Sequence, residues 1–337
     1  MANYFLRVLS GAKLDRLNAV LNTCHEKSGK SKLALLLDIV HCTRKFGSGY
    51  YDYQVFGFYN LTDAQRATYV TRMVSRKLNV YLNDDKYTPF FDDKKSFYRR
   101  FAKYIRRDWL DLENATAQQV EQFIAGKDEI FLKPRHGECG HGCERIKLSD
   151  WPNRKALVDH VLCGSFDMCE QVIAQHPALE AMHPGSINCM RVITLVDPQG
   201  EPHCIYATQK LGKGDNFIDN NTLFSPVDME TGRIKYPAHS GDTTLGIVYT
   251  EHPDTHIPIA GYQLPYMKEI LAMCLEAARE IPQVRYVGWD VAHGADGPEF
   301  VEGNTYCAHD FWQLIPHTPD GIGMLPTIMK YAPDFQR

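Results

Sequence analysis

The 337-residue chain is 44% hydrophobic and 23% charged, the balance of an ordinary globular protein with ample apolar material for a core. Its formal net charge of −4 argues against nucleic acid as a main partner, because no cationic excess is present to neutralise phosphates. No apolar run approaches the roughly 20 residues that span a bilayer, and Met1 to Arg7 lacks the basic head and apolar core of a signal peptide, so a cytoplasmic protein without a membrane partner is expected.

Ten cysteines are scattered without regular spacing, and a chain of this size does not depend on disulfides, so reduced thiols are expected. The first residues, to about 85, read as a mainly helical prefix that packs on the rest or helps shape the substrate side. Lys32 to Val40 is a strongly apolar helix ending near Gly47. Thr62 and Gln65 have the form of a capping box, which predicts a helix to about Leu78 with Tyr69, Met73 and Leu78 among its apolar positions.

Asp92 and Asp93 begin a further helix, with acids where its dipole favours them. The basic run from Lys94 to Arg107 alternates with Phe97, Tyr98, Phe101 and Tyr104, which reads as an amphipathic helix with a solvated face. Thr116 to Gln119 is another capping box, and Gly126 stops that helix. A short strand follows, Glu129 to Pro134, leading directly into Arg135 to Cys143. Gly137, Gly140 and Gly142 make this a pliable loop whose backbone donors can wrap around phosphate, with Lys133 as a point charge at the strand end. The loop does not match the phosphate-loop consensus with Gly-Lys-Ser/Thr. His136, Cys139, His141 and Cys143 offer a rival zinc reading, although their spacing is tight and no second pair completes a familiar site. A plain glycine-rich surface turn is the third reading.

A helix is expected near Lys155 to Leu162, and a buried strand from Asp167 to Ile173 that ends in the turn-forming His176-Pro177. Ser186 to Val196 is a longer strand with Arg191 embedded in it. Asp197 to Gly200 turns the chain, and His203 to Lys210 returns as the partner. An arginine in an apolar strand is either neutralised by a carboxylate or faces a site and holds an anion. Lys210 to Asn221 is a polar, glycine-bearing loop suited to lining a site. Asp228 to Gly232 is a hairpin turn, and residues 264 to 281 form a helix.

The chain then gives two short apolar, β-branched stretches, Val284 to Val291 and Pro298 to Asn304, around an Asp296-Gly297 step that favours reversal with positive φ. They predict a hairpin with Asp290 on one strand and Glu302 and Asn304 on the other. Oxygen ligands in that number suit Mg²⁺ or Mn²⁺ arriving with a nucleotide's phosphates. The bland reading is a hairpin whose charges face water.

Strand lysine, glycine-rich flap, Glu-Gln-Val-Ile strand, arginine strand and Asp…Glu-x-Asn hairpin follow in that order. The arrangement resembles the ATP-grasp superfamily, most closely its sugar-transfer-associated branch, related to α-L-glutamate ligase-like proteins. The closest echoes are Phe131-Leu132-Lys133-Pro134, Ser186 to Val192, and Gly288-Trp289-Asp290-Val291 with Val301-Glu302-Gly303-Asn304. The resemblance covers roughly residues 85 to 325.

It implies an α+β, ATP-grasp fold of two α+β lobes with antiparallel sheets clasping ATP, beside the helical N-terminal region: residues 1–85 as that region, 86–168 as the small lobe with the flap, and 169–330 as the large lobe with the metal-binding hairpin. It also implies ATP and Mg²⁺ or Mn²⁺ as cofactors. Asp290, Glu302 and Asn304 would hold the metal; Lys133 would contact the α- and β-phosphates, with Lys94 or Lys95 as the earlier phosphate lysine. The flap with Gly137, Gly140 and Gly142 would close over the triphosphate. Glu170, Gln171 and Val172 would form the adenine hinge, and Glu180 would take the ribose. Arg191 would face the γ-phosphate or acyl intermediate, with Lys210 and Asn221 lining that side.

The activity so implied is a carboxylate–amine ligase forming an amide or ester through an acyl phosphate, with release of ADP and phosphate. Its partners would be a small carboxylic acid and an amine or hydroxyl acceptor, such as an amino acid and a sugar-related metabolite; a homodimer is left open. The alternatives are a kinase on the same scaffold acting on a sugar or polyol hydroxyl, and a non-catalytic nucleotide-binding regulatory protein.

Overall fold

A computed structural model describes residues 12–134, 142–215 and 222–337. The prefix begins with helices α1 (Ala12–Ser28), α2 (Lys32–Phe46) and α3 (Tyr50–Val55). Ser31 caps α2 by accepting from the Ala34 N–H, and Gly47 ends it in the left-handed region at φ 65°. That position needs glycine twice over, because a Cβ there would also lie 2.7 Å from Cβ of Met73.

The capping box forms, with Thr62 accepting from the Gln65 N–H at 3.3 Å and Gln65 accepting from the Thr62 N–H at 3.0 Å. The helix does not run on to Leu78. It breaks into α4 (Asp63–Arg66) and α5 (Arg72–Leu82). Tertiary partners claim the intervening backbone: the Gln313 side chain accepts from the Val70 N–H at 2.9 Å and donates to the Val70 carbonyl at 3.0 Å. Met73, expected on the apolar face, is 48% exposed.

Next come α6 (Pro89–Asp92) and α7 (Lys94–Arg100), the latter capped by Asp93. The basic run leaves the helix after Arg100 through a 3₁₀ turn at Ala102–Tyr104. Its aromatic residues Phe97, Tyr98, Phe101 and Tyr104 are buried while Arg99, Arg100, Lys103 and Arg106 are exposed, the two-faced pattern expected, although Arg107 at its end is buried.

The small sheet contains β1 (Trp109–Asp111), β2 (Glu129–Pro134), β3 (Glu144–Lys147) and β4 (Phe166–Gln171), all antiparallel in the order β1-β4-β2-β3. Helices α8 (Ala117–Ile124) and α9 (Arg154–Val161) cover it through Val120, Ile124, Leu157 and Val161, which pack with Ile130 and Leu132 of β2. β4 crosses the expected lobe boundary at residue 168, and it stops at Gln171, short of Ile173. His176-Pro177 is no turn but the start of helix α10 (Pro177–Met182), with Pro177 in the first turn and His176 accepting from the Ala178 N–H at 3.1 Å.

The eight-stranded antiparallel sheet holds β5 (Cys189–Val196), β6 (Pro202–Leu211), β7 (Leu223–Asp228), β9 (Ala238–Ser240), β10 (Val248–Tyr249), β11 (Tyr286–Gly294) and β12 (Gly297–Asn304). Their order is β10-β9-β7-β6-β5-β11-β12, with β8 (Arg233–Ile234) beside β7. Helix α11 (Met267–Ala278) packs on one face, and α12 (Leu325–Met329) joins the prefix side of the other. Trp289 is fully buried, stacks on Phe300 at 4.8 Å and meets Phe101 edge-on at 5.2 Å. Burial of each such side chain contributes about 1.5–3 kcal/mol, and this contact fixes α7 against the terminal hairpin. Among the described residues no helix is long and apolar enough to cross a membrane.

Candidate active site

The hairpin β11–β12 forms as the sequence predicts, with Asp290 opposite Glu302 and Gly288 opposite Asn304. On the other side of β11, Asp290 stands opposite Arg191 of β5, and Arg191 stands opposite Thr208 of β6. Directly opposed residues share a face and alternate residues of a strand return to it. Glu302, Asp290, Arg191 and Thr208 therefore form one row across the sheet, with Asn304 and Lys210 two residues along their own strands.

Arg191 donates through Nε and Nη2 to the two carboxylate oxygens of Asp290, the Nη2–Oδ2 distance being 2.6 Å. Lys210 Nζ adds a bond to Oδ2 at 3.2 Å. Burial alone would raise the Asp290 carboxyl, but the Arg191 and Lys210 charges override it and hold the group well below the usual carboxylate range. Of the two sequence readings of Arg191, the structure shows the neutralising carboxylate, and the residue also lines the cleft. Glu302 is exposed and accepts from Asn304 Nδ2 at 3.2 Å, so the Asn304 amide oxygen is that residue's candidate ligand atom. Two carboxylates and an amide are a donor set fitted in kind to Mg²⁺, although both oxygens of Asp290 already bond to cationic side chains.

The other end of the cleft is a second charged cluster. Lys133 on β2 pairs with Glu170 on β4 at 2.7 Å and donates to the Tyr98 hydroxyl at 2.8 Å. Arg107 donates from Nε to Glu170 at 3.0 Å, from Nη1 to Glu299 at 2.6 Å and to the Phe300 carbonyl at 2.8 Å, and from Nη2 to Tyr98. Burial opposes the charge on Lys133 and Arg107, but Glu170, and for Arg107 also Glu299, hold both protonated. Burial would likewise raise the Glu170 carboxyl, but Lys133 and Arg107 keep it below its ordinary value. The carboxylate of Glu170 is thereby committed to cations, while Gln171 and Val172 line the cleft beside it.

Lys94 and Lys95, indistinguishable in sequence, separate here. Lys94 lines the cleft, whereas Lys95 turns to Glu113 at 2.6 Å and Asp111 at 3.4 Å. Glu180 lines the cleft from α10 and accepts from Gln175 at 3.2 Å. Gly142 has φ 78°. Gly137 and Gly140, with His136, Cys139, His141 and Asn221, lie outside the described residues, and so does most of the zinc reading. Cys143 is described, and burial pushes its thiol up.

Between the clusters lies a cleft of about 1600 Å³ that reaches from Phe131 and Gln171 past Glu302 to Thr222 and Phe311. The prefix shapes its far end: Asp52 of α3 pairs with His309 at 2.9 Å, and Tyr51 donates to Asp310 at 2.5 Å and meets Thr243. These bonds hold the segment that follows the Glu302 strand. Sequence reasoning missed Arg107, Tyr98 and Glu299. Arg107 closes a basic run that looked solvated, and Glu299 precedes the acidic motif by too little to stand out. Their only signal was a tyrosine and an arginine within an otherwise aromatic-rich run.

Residues 160–319 match the sequence model of the sugar-transfer associated ATP-grasp family. Among solved structures, the chain is similar to the ATP-grasp ligase PsnB complexed with a minimal precursor, at 13% identity and TM-score 0.41, covering 73% of this chain and 63% of that one. It is similar to PurK, the N5-carboxyaminoimidazole ribonucleotide synthetase, in its ADP complex, at 9% identity and TM-score 0.44, covering 71% and 52%. Biotin carboxylase from Campylobacter jejuni gives 12% identity and TM-score 0.44, covering 74% and 47%. The chain thus spans about half to under two-thirds of the length of these proteins. No curated protein matches the sequence.

Proposed function

From the match of residues 160–319 to the sugar-transfer associated ATP-grasp family, we propose that the chain is an ATP-grasp protein and an ATP-dependent carboxylate–amine ligase working through an acyl phosphate. The observation that carries the reading is the single row Glu302–Asp290–Arg191 with Lys210 beside it, two carboxylates and two cations on one cleft-facing surface.

In this reading ATP lies along the cleft, its base toward Gln171 and Val172 and its ribose toward Glu180, with Lys94 and Lys133 on the phosphates. Glu302, Asn304 and Asp290 would hold magnesium, which would supply positive charge to offset that of the phosphate oxygens. A carboxylate oxygen of the acid bonds to the γ-phosphorus as the bond to ADP breaks. Both reactants are anionic, so Arg191 and Lys210 supply the positive charge that lets them approach. The acceptor amine then attacks the acyl carbon, phosphate leaves with the bonding pair, and the amine proton passes to solvent or phosphate. The prefix bonds to Thr243, His309 and Asp310 set the wall where acid and acceptor meet. Residues 1–85, 86–168 and 169–330 serve as prefix, small lobe and large lobe, with β4 the shared strand at the last boundary.

The test is hydroxylamine trapping with Mg-ATP and a panel of amino acids and other small carboxylic acids, beside Glu302→Ala. A hydroxamate formed with ADP by the native chain alone supports the ligase. ADP with a phosphorylated sugar or polyol, in a panel without hydroxylamine, replaces it with a kinase. ATP binding without turnover across both panels replaces it with a regulatory role.

A further inference from the structure

The cluster where β2 meets β4 shares one carboxylate between two cations. Glu170 takes them on separate oxygens, Lys133 on Oε1 at 2.7 Å and Arg107 on Oε2 at 3.0 Å. The Tyr98 hydroxyl donates to the same Oε1 at 3.0 Å, and accepts from Lys133 at 2.8 Å and from Arg107. Arg107 pairs with a second acid as well, Glu299 at 2.6 Å.

The four charges are not equally placed. The side chains of Arg107, Glu170 and Glu299 are 2%, 4% and 6% exposed, whereas Lys133 is 11% exposed and lines the cleft. Arg107 is also pinned by the chain around it. It donates to the Phe300 carbonyl at 2.8 Å, while its own N–H and that of Arg106 reach Glu299 at 3.3 and 3.2 Å. A guanidinium held in that way keeps its direction when a neighbour moves.

Withdrawing Lys133 therefore leaves neither acid without a cation. Glu170 keeps Arg107 on Oε2 and Tyr98 on Oε1, and the Tyr98 oxygen keeps Arg107 as a donor. With Arg107 absent the outcome reverses. Lys133 is then the one cation on a buried carboxylate, and its departure strands that charge, which is far more costly than opening a surface pair. A lysine so bound stays with its carboxylate.

We propose that Arg107 is a positioning residue for nucleotide binding: by holding the far oxygen of Glu170, it lets Lys133 exchange that carboxylate for a nucleotide's phosphate. Lys133 suits the exchange because an ammonium is a point charge with rotatable donors and takes a phosphate oxygen from many directions. Arg107 itself, fixed between two sheets, does not touch the ligand. This role rests on the reading of Lys133 as a phosphate contact, and the test separates the two.

The full chain is titrated with ADP and with adenosine, both free of metal, and the melting temperature of each variant is recorded. The ratio of the two affinities isolates what the phosphates contribute, a quantity that loosened packing does not single out. Lys133→Met sets the floor of that ratio. Arg107→Met with Glu299→Gln removes one cation and one acid together, and should lower the ratio on the order of 10- to 100-fold while adenosine binding holds. Adding Glu170→Gln to that pair should restore the ratio, because the lysine is released. Glu170→Gln alone should keep it, and decides the matter if the double variant does not fold. An unchanged ratio in the folded double variant, no recovery in the triple, or a fall to the Lys133→Met floor in Glu170→Gln overturns the role of Arg107. A ratio unmoved by Lys133→Met overturns the phosphate contact and the role with it, and a native chain that binds neither ligand overturns the nucleotide reading itself.

Discussion

The two ends of the cleft each balance two acids against two cations, yet they are built for different work. At the hairpin end, Asp290 and Glu302 face Arg191 and Lys210 along one sheet, and Glu302 is exposed. At the other end, Arg107 and Glu170 are shut away, with 2% and 4% of their side chains exposed. Arg107 also joins Glu170 of the small sheet to Glu299 of the large one. The first cluster is open to a ligand. In the second, Arg107, Glu170 and Glu299 form a buried tie between the lobes with fixed geometry, and Lys133 at its edge lines the cleft.

That contrast predicts unequal responses to mutation. The largest effect on folding should come from Arg107→Met, which leaves Glu170 and Glu299 buried without their shared cation; a loss of about 3–5 kcal/mol is expected in urea unfolding. Glu299→Gln added to it should recover part of that loss, because one stranded charge is removed. A loss near zero would show that the tie is dispensable.

Glu302→Gln should behave in the opposite way. Stability should change by no more than about 0.5 kcal/mol, as for an exposed position, while ATP turnover falls on the order of 10²–10³-fold. A melting shift as large as that of Arg107→Met would erase the distinction.

pH sharpens the comparison. The carboxyls of Asp290 and Glu170 are both lowered in the fold, so each contributes stability that is present above its ordinary value, 3.8 or 4.5, and lost as pH falls through its folded one. Lys133 is raised, so its contribution is complete below 10.5 and lost as pH climbs through its folded value. Lys133→Met should therefore flatten the alkaline limb of a stability profile, and Asp290→Asn the acid limb.

The smallest effect concerns the prefix. Burial opposes protonation of His309, but Asp52 raises it, so the tie contributes fully below 6.5 and fades as pH rises through the folded value. His309→Gln should cost about 1 kcal/mol near pH 6 and less near pH 8. Thermal melts at both values check this, and an equal loss at each would deny the charge its part.

What could be read from the chain follows from how local each cue is. The hairpin was legible because strands alternate faces at a period of two, so Asp290, Glu302 and Asn304 fall on one side once the turn is found. Arg191 could be placed in a strand but not given a partner, since register between β5 and β11 joins residues 99 positions apart. Lys94 and Lys95 could not be told apart, because one step around a helix start decides which meets the cleft. The helix after Thr62 was misjudged for a related reason: the side chain of Gln313, distant in sequence, takes over the backbone bonds of Val70.

The sequence alone thus determined the strand before the flap, the terminal hairpin with the side chains on its face, and the capping boxes at Thr62 and Thr116, all of which depend on neighbours within a few residues. Only the tertiary structure decided that Arg107 joins Glu170 to Glu299, that α3 holds the segment after Glu302, and that Lys133 shares Glu170 with Arg107. Such contacts arise when apolar faces pack and bring charged side chains together at the seams. Their energy depends on burial and distance in space, and neither quantity is written in the spacing of residues along a chain.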